Sequence, residues 1–185
     1  MDEYFLKVKP RKIRLDVKLP PVVILTDAAA EECGASLGAV LIDTYTGCYE
    51  FFGKRISANM VAQWQALGRN QVICQAELIT IPLALATWRG RLADRDVFVF
   101  IDNDPARECL IRGLSSASDS TRYVHACRLL CAENGMAAWY ARVASPSNIA
   151  DQPSRGDFSV LLASGAKCVE PVSLACEPHL VLHNF

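Results

Sequence analysis

Two short apolar runs, each closed by an aspartate, constrain this chain more than any other feature. Val22-Val23-Ile24-Leu25-Thr26 ends at Asp27, and Val97-Phe98-Val99-Phe100-Ile101 ends at Asp102. Runs this short, rich in β-branched and aromatic residues and bounded by polar ones, favour buried strands over helices. Residues 22–27, 33–43 and 48–56 read as the first three strands. The second and third are separated by Thr44-Tyr45-Thr46-Gly47, whose glycine suits a short hairpin loop, so the sheet starts antiparallel. Residues 96–101 form the fourth strand and 137–143 the fifth.

Between the third and fourth strands, residues 72–88 place Ile73, Ala76, Ile79, Leu83 and Ala84 near one helical face, with Glu77 on the same or an adjacent face. Pro82 removes one backbone hydrogen bond and predicts a kink one turn beyond Glu77, or the start of a second segment. Pro105 suits the first turn of a helix ending near Gly113, capped by Asn103 or Asp104. Residues 115–120 read as a serine-rich loop and 121–134 as another helix. The pattern is mixed α/β. A strand that follows the long helix and runs parallel to the first, through a right-handed crossover, sets Asp27 and Asp102 side by side. Anions converging without basic partners repel, so a divalent cation between them is the economical explanation. Periodicity supports the adjacency of these two carboxylates only.

Order and context carry a resemblance. The pieces are Leu25-Thr26-Asp27-Ala28-Ala29 with the strand 34–40 after it, Gln75-Ala76-Glu77-Leu78, Ile101-Asp102-Asn103, and Asn148-Ile149-Ala150-Asp151 followed by Pro153-Ser154-Arg155. Over residues 20–155 the sequence resembles the ribonuclease H domain of retroelement reverse transcriptases. The resemblance implies an RNase H-like α/β fold, a mixed five-stranded sheet with three antiparallel strands first and helices on both faces. It implies an endonuclease that hydrolyses the RNA strand of RNA–DNA hybrids with two Mg²⁺ or Mn²⁺ ions. Asp27, Glu77, Asp102 and Asp151 are then the catalytic and metal-binding residues: Asp27 bridging both ions, Glu77 and Asp102 on the leaving-group side, Asp151 on the ion that activates water. Asn103 is implied as a substrate contact, although a helix cap needs no further role. The implied partners are the hybrid and a reverse transcriptase polymerase region in the same polyprotein.

One departure concerns the loop before the last aspartate, 142–148, where many members carry a histidine and this chain has none; its histidines are His125, His179 and His183. Metal-assisted hydrolysis does not depend on that group, but turnover is put in question. Two other function classes stay open. A catalytically silent nucleic-acid-binding or scaffold domain of the same fold differs in whether all four carboxylates lie within reach of one ion pair. Another nuclease of the superfamily is disfavoured by Ala29, where proofreading exonucleases place Glu, and by Glu77 preceding Asp102, the reverse of the integrase order.

A chain of 185 residues with 51% hydrophobic content suits one core. The expected division is a basic arm or linker over 1–19, the RNase H-like domain over 20–155 and a C-terminal tail of unassigned role over 156–185. The net charge of −1 is uninformative, but Lys7, Lys9, Arg11, Lys12, Arg14 and Lys18 gather before the first strand, either as a solvated linker or as a phosphate contact. No signal-peptide pattern or long apolar run is present, so an intracellular location, cytoplasmic or nuclear, and no membrane partner are expected. The eight cysteines fall largely in apolar segments without a CxxC and read as reduced, mostly buried thiols. His125, Cys127 and Cys131 read as core residues rather than a zinc site. Trp88 and Trp139 are expected in the core, and Trp64, in the polar stretch 59–70, at the surface.

Overall fold

The computed structural model describes residues 19–31, 34–66 and 72–173. The basic arm, Cys33, His179 and His183 lie outside them. Strand β1 (Val22–Glu31) pairs antiparallel with β2 (Gly34–Asp43), and β2 antiparallel with β3 (Cys48–Arg55). On the other side of β1, β4 (Asp96–Ile101) runs parallel to it, and β5 (Ala137–Arg142) runs parallel to β4. The three antiparallel strands and two parallel ones are those expected. A sixth, β6 (Lys167–Cys168), pairs with β3 and completes the order β5-β4-β1-β2-β3-β6. It comes from the segment 156–173, which returns to the sheet.

The helices are α1 (Ala58–Ala66), α2 (Ile73–Thr87), α3 (Arg89–Leu92), α4 (Asp104–Arg112), α5 (Ser118–Glu133), α6 (Asp151–Ser154) and α7 (Ser159–Ala163). Residue parity in the strands divides the core in two, because successive side chains leave opposite faces of a sheet. Ile24 is flanked by Leu41 and Val99, and this face packs under α2 and α5. Leu25 is flanked by Val40 and Phe100, and this face packs against Ala150, Phe158, Leu161 and Ala166 around α6 and α7. Helices therefore cover both faces.

Helix α2 is buried without a break from Gln75 to Ala86 and runs through Pro82 as one helix. Of the two expectations for Pro82, the alternative of a second segment is not seen: packing between the sheet and α5 holds one continuous helix. That packing outweighs the roughly 3 kcal/mol that an interior proline costs. Helix α5 starts at Ser118, so the serine-rich loop is shorter than expected.

Two tryptophans lie opposite to expectation. Trp64 is 1% exposed: residues 58–66 are helical, Val61 and Trp64 share the inward side, and Trp64 Nε1 donates to the Tyr123 hydroxyl at 2.9 Å. The glutamines flanking Trp64 disguised an amphipathic turn as a polar loop. Trp139 is 57% exposed. It sits on edge strand β5 beside Phe98, on the sheet face that α6 covers only over β1, β2 and β3. Trp88 is buried as expected. His125 faces solvent rather than the core, whereas Cys127 is buried. The cysteines among the described residues are free thiols, and no described helix is long and apolar enough to cross a membrane.

Candidate active site

The sheet opens where the candidate site forms. β1 and β4 stay paired from Val22 opposite Val97 to Thr26 opposite Ile101; β4 then stops while β1 continues against β2 alone. Asp27 and Asp102 are the next residues on the two strands, so they meet at the mouth of this opening. Glu77 arrives from the second turn of α2, which packs across β1 and β2. One carboxylate oxygen from each of Asp27, Glu77 and Asp102 lies within 4.8 Å of the other two, the only such group of potential metal ligands among the described residues.

Burial and mutual repulsion make this cluster electrostatically costly. Glu77, 3% exposed, has its pKa pushed up to about 9, first by burial and then by the negative charges of Asp27 and Asp102, against a weaker opposing hydrogen bond from the Ala28 backbone N–H. Its Oε2 is buried without a hydrogen-bond partner. Asp27, 5% exposed, is raised to about 6 by burial, with the charges of Asp102 and Asp151 adding to it and a hydrogen bond from Ser154 opposing. Hard oxygen donors, an orphaned buried oxygen and a surplus of negative charge fit a divalent cation such as Mg²⁺ or Mn²⁺.

Asp151 takes a different position. It opens α6, is half-buried and accepts from Arg155 Nε at 2.8 Å, and it stands outside the set formed by the other three, although its charge is felt at Asp27. Asn103 caps α4: its side-chain oxygen accepts from the Ala106 N–H at 3.0 Å. The expected convergence is thus present for three carboxylates, with the fourth one step away and partnered.

The sequence reading gave no role to Asn148 or Ser154, yet both hold Asp27. Asn148 Nδ2 donates to the Thr26 carbonyl at 3.0 Å and, more weakly, to Asp27 Oδ1 at 3.5 Å, and its own oxygen accepts from the Ala150 N–H. The fully buried Ser154 hydroxyl bonds Asp27 Oδ2 and the Asp151 carbonyl. The short helix reaches Asp27 because it seats directly on β2: a Cβ at Gly38 would collide with Ser154 N and the Ala150 carbonyl. The available signal was Ser154 three residues after Asp151, a spacing that makes the two neighbours on one helical turn.

No family model and no curated relative matches the sequence. Solved structures do match. The fold is similar to RNase H1 from the halophilic archaeon Halobacterium salinarum (TM-score 0.58, 20% identity, covering 76% of this chain and 99% of that one). It is also similar to the N-terminal RNase H domain of a Mycobacterium tuberculosis protein (0.55, 18%, 79% and 99%). A third match is LC11-RNase H1, isolated from compost by a metagenomic approach and solved in complex with an RNA/DNA hybrid (0.50, 14%, 76% and 99%). The chain has the RNase H-like fold.

Proposed function

We propose that the protein is a ribonuclease H, an endonuclease that hydrolyses the RNA strand of RNA–DNA hybrids with two divalent ions. The observation that carries this reading is the meeting of Asp27, Glu77 and Asp102 within 4.8 Å at the strand opening of an RNase H-like sheet. The hybrid held by LC11-RNase H1 on a similar fold supports the substrate class.

When bound, paired Mg²⁺ or Mn²⁺ ions supply an activated water and charge stabilisation for the attacking and leaving oxygens of the phosphodiester. The chain's own contribution is positional. Asp27, fixed by Ser154 and Asn148, presents one carboxylate of the group. Glu77 and Asp102 add oxygens from α2 and the end of β4. Asp151 serves as the fourth ligand once its carboxylate is released from Arg155. Asn103, one residue beyond Asp102 and anchored by its cap, is the residue we assign to a substrate-backbone contact through its amide. Discrimination of hybrid from other duplexes rests on contacts to 2′-hydroxyls on one strand and deoxyribose geometry on the other.

A retroelement origin is the motif order's contribution to this proposal. With it come a reverse transcriptase polymerase region as partner in one polyprotein, and a cytoplasmic or nuclear setting. The test of function is cleavage of RNA–DNA hybrid, double-stranded RNA and double-stranded DNA at matched salt. Only the hybrid is expected to be cut, in its RNA strand, leaving 5′-phosphate and 3′-hydroxyl ends, with activity lost in chelator. Equal cutting of all three duplexes, or full activity in excess chelator, rejects the proposal.

A further inference from the structure

Helix α6 is a single turn, yet it is tied to the sheet more closely than its length requires. Its Ser154 hydroxyl bridges two things the proposed chemistry uses, the Asp27 carboxylate and the backbone of Asp151. The Ser154 carbonyl accepts from Ser36 Oγ on β2 at 2.5 Å, and Gly38 lets the turn lie flat on that strand. A carboxylate on a strand end can rotate about χ2; one with an oxygen held by a fully buried hydroxyl cannot rotate freely.

We propose that Ser154 is a positioning residue. Its hydroxyl fixes the rotamer of Asp27 and registers α6, and so Asp151, against that carboxylate, so that the two ligands are offered to the metal as one unit. This rests on the ribonuclease H reading and deepens it. Ser154 touches neither metal nor substrate; it acts through the orientation of Asp27 and the placement of Asp151. Groups that orient metal ligands in this way typically contribute about 10- to 100-fold to metal affinity or activity. Ser36 bonds the same turn from outside without touching Asp27, so it separates ligand positioning from mere docking of α6.

The experiment compares Ser154→Ala with Ser36→Ala in the full chain by two readouts. One is the Mg²⁺ concentration that gives half the Mg²⁺-induced rise in Tm; the other is the Mg²⁺ concentration for half-maximal hybrid cleavage. Ser154→Ala is expected to raise both midpoints by about tenfold or more while cleavage recovers at saturating Mg²⁺. Ser154→Thr, which keeps the hydroxyl, is expected to restore the midpoints. Ser36→Ala is expected to lower the metal-free Tm yet leave both midpoints within about twofold of wild type. If Ser154→Ala does not fold, Ser154→Cys, with a weak donor in nearly the same volume, must show the displaced midpoints. Unchanged midpoints in folded Ser154→Ala or Ser154→Cys, or equal displacement by Ser36→Ala, overturn the proposal and leave the ribonuclease reading standing. A wild-type protein with neither a Mg²⁺-dependent Tm nor hybrid cleavage removes both.

Discussion

The two ends of the central strands treat buried carboxylates in opposite ways. At the hairpin end, Asp43 is 2% exposed, but Arg95 donates to both its oxygens at 3.2 and 3.1 Å, with Thr46 Oγ1 at 2.8 Å and the Tyr45 N–H at 3.1 Å. Burial alone pushes its pKa up; Arg95 and the other donors overcome that and hold the carboxyl below its usual range. Nearby on β3, Glu50 accepts from Trp88 Nε1 at 3.0 Å and from Arg91 at 2.8 Å. At the opposite end, Asp27, Glu77 and Asp102 are gathered within 4.8 Å, and two have pKa values raised by burial and by one another's charge. At the hairpin end buried charge is neutralised by basic partners; at the other end clustered carboxylates raise one another's pKa, the contrast on which the proposed metal site rests.

The largest expected break in this contrast is chemical. Asp27→Asn and Glu77→Gln should each reduce hybrid cleavage by about 10³-fold or more, because metal ions supply several kcal/mol of charge stabilisation to such reactions. Both variants should still unfold cooperatively. At the other end, Arg95→Ala should cost about 3 kcal/mol in denaturant unfolding, the usual consequence of stranding a buried partner. It should leave the Mg²⁺ dependence of cleavage unchanged.

The pH dependence of stability sharpens the comparison. Raised carboxyl pKa values mean that the folded, metal-free protein holds protons the unfolded chain has released. The stability contributed by Asp27 and Glu77 is therefore full below their ordinary values of 3.8 and 4.5, and is lost as pH rises through about 6 and about 9. Asp43 has the opposite sign: its contribution is present above 3.8 and lost only as pH falls through its depressed pKa. In chelator, Tm should fall as pH rises from about 5.5 to 8.5, and saturating Mg²⁺ should cancel or reverse the slope, because metal binding releases those protons. A flat Tm in chelator over that range contradicts the assignment. The smallest effect is expected at Arg155, whose side chain is 66% exposed. Arg155→Ala should change stability by no more than about 0.5 kcal/mol, as solvent screens the pair, while slightly lowering the Mg²⁺ midpoint by freeing Asp151.

Much of this site was legible because strands and their ends announce themselves. The apolar runs closed by Asp27 and Asp102 fixed two strands, and the crossover rule made them neighbours. Glu77 needed the family resemblance, since its helix is buried without a break from Gln75 to Ala86 and periodicity put Glu77 only on or next to the apolar face. Asp151 also came from the resemblance; its carboxylate pairs with Arg155 and lies outside the group of three, while its charge acts on Asp27. Trp64 and Trp139 were misplaced for opposite reasons. Glutamines masked the inward turn of α1, and strand periodicity does not tell which part of a face its helices will cover. Ser154 carried no signal of its own, because its partner lies 127 residues away in the chain.

On the proposed reading, Asp102 belongs to a carboxylate group that binds metal. Thermal unfolding of wild type and Asp102→Asn in chelator and in Mg²⁺, beside hybrid cleavage by both, tests it most directly. The nearly isosteric amide removes part of the repulsion among Asp27, Glu77 and Asp102, so the variant should be at least as stable as wild type in chelator. It should lose most of the Mg²⁺-induced rise in Tm and nearly all cleavage. A destabilised Asp102→Asn protein that still cuts the hybrid in proportion to its folded fraction would contradict the account.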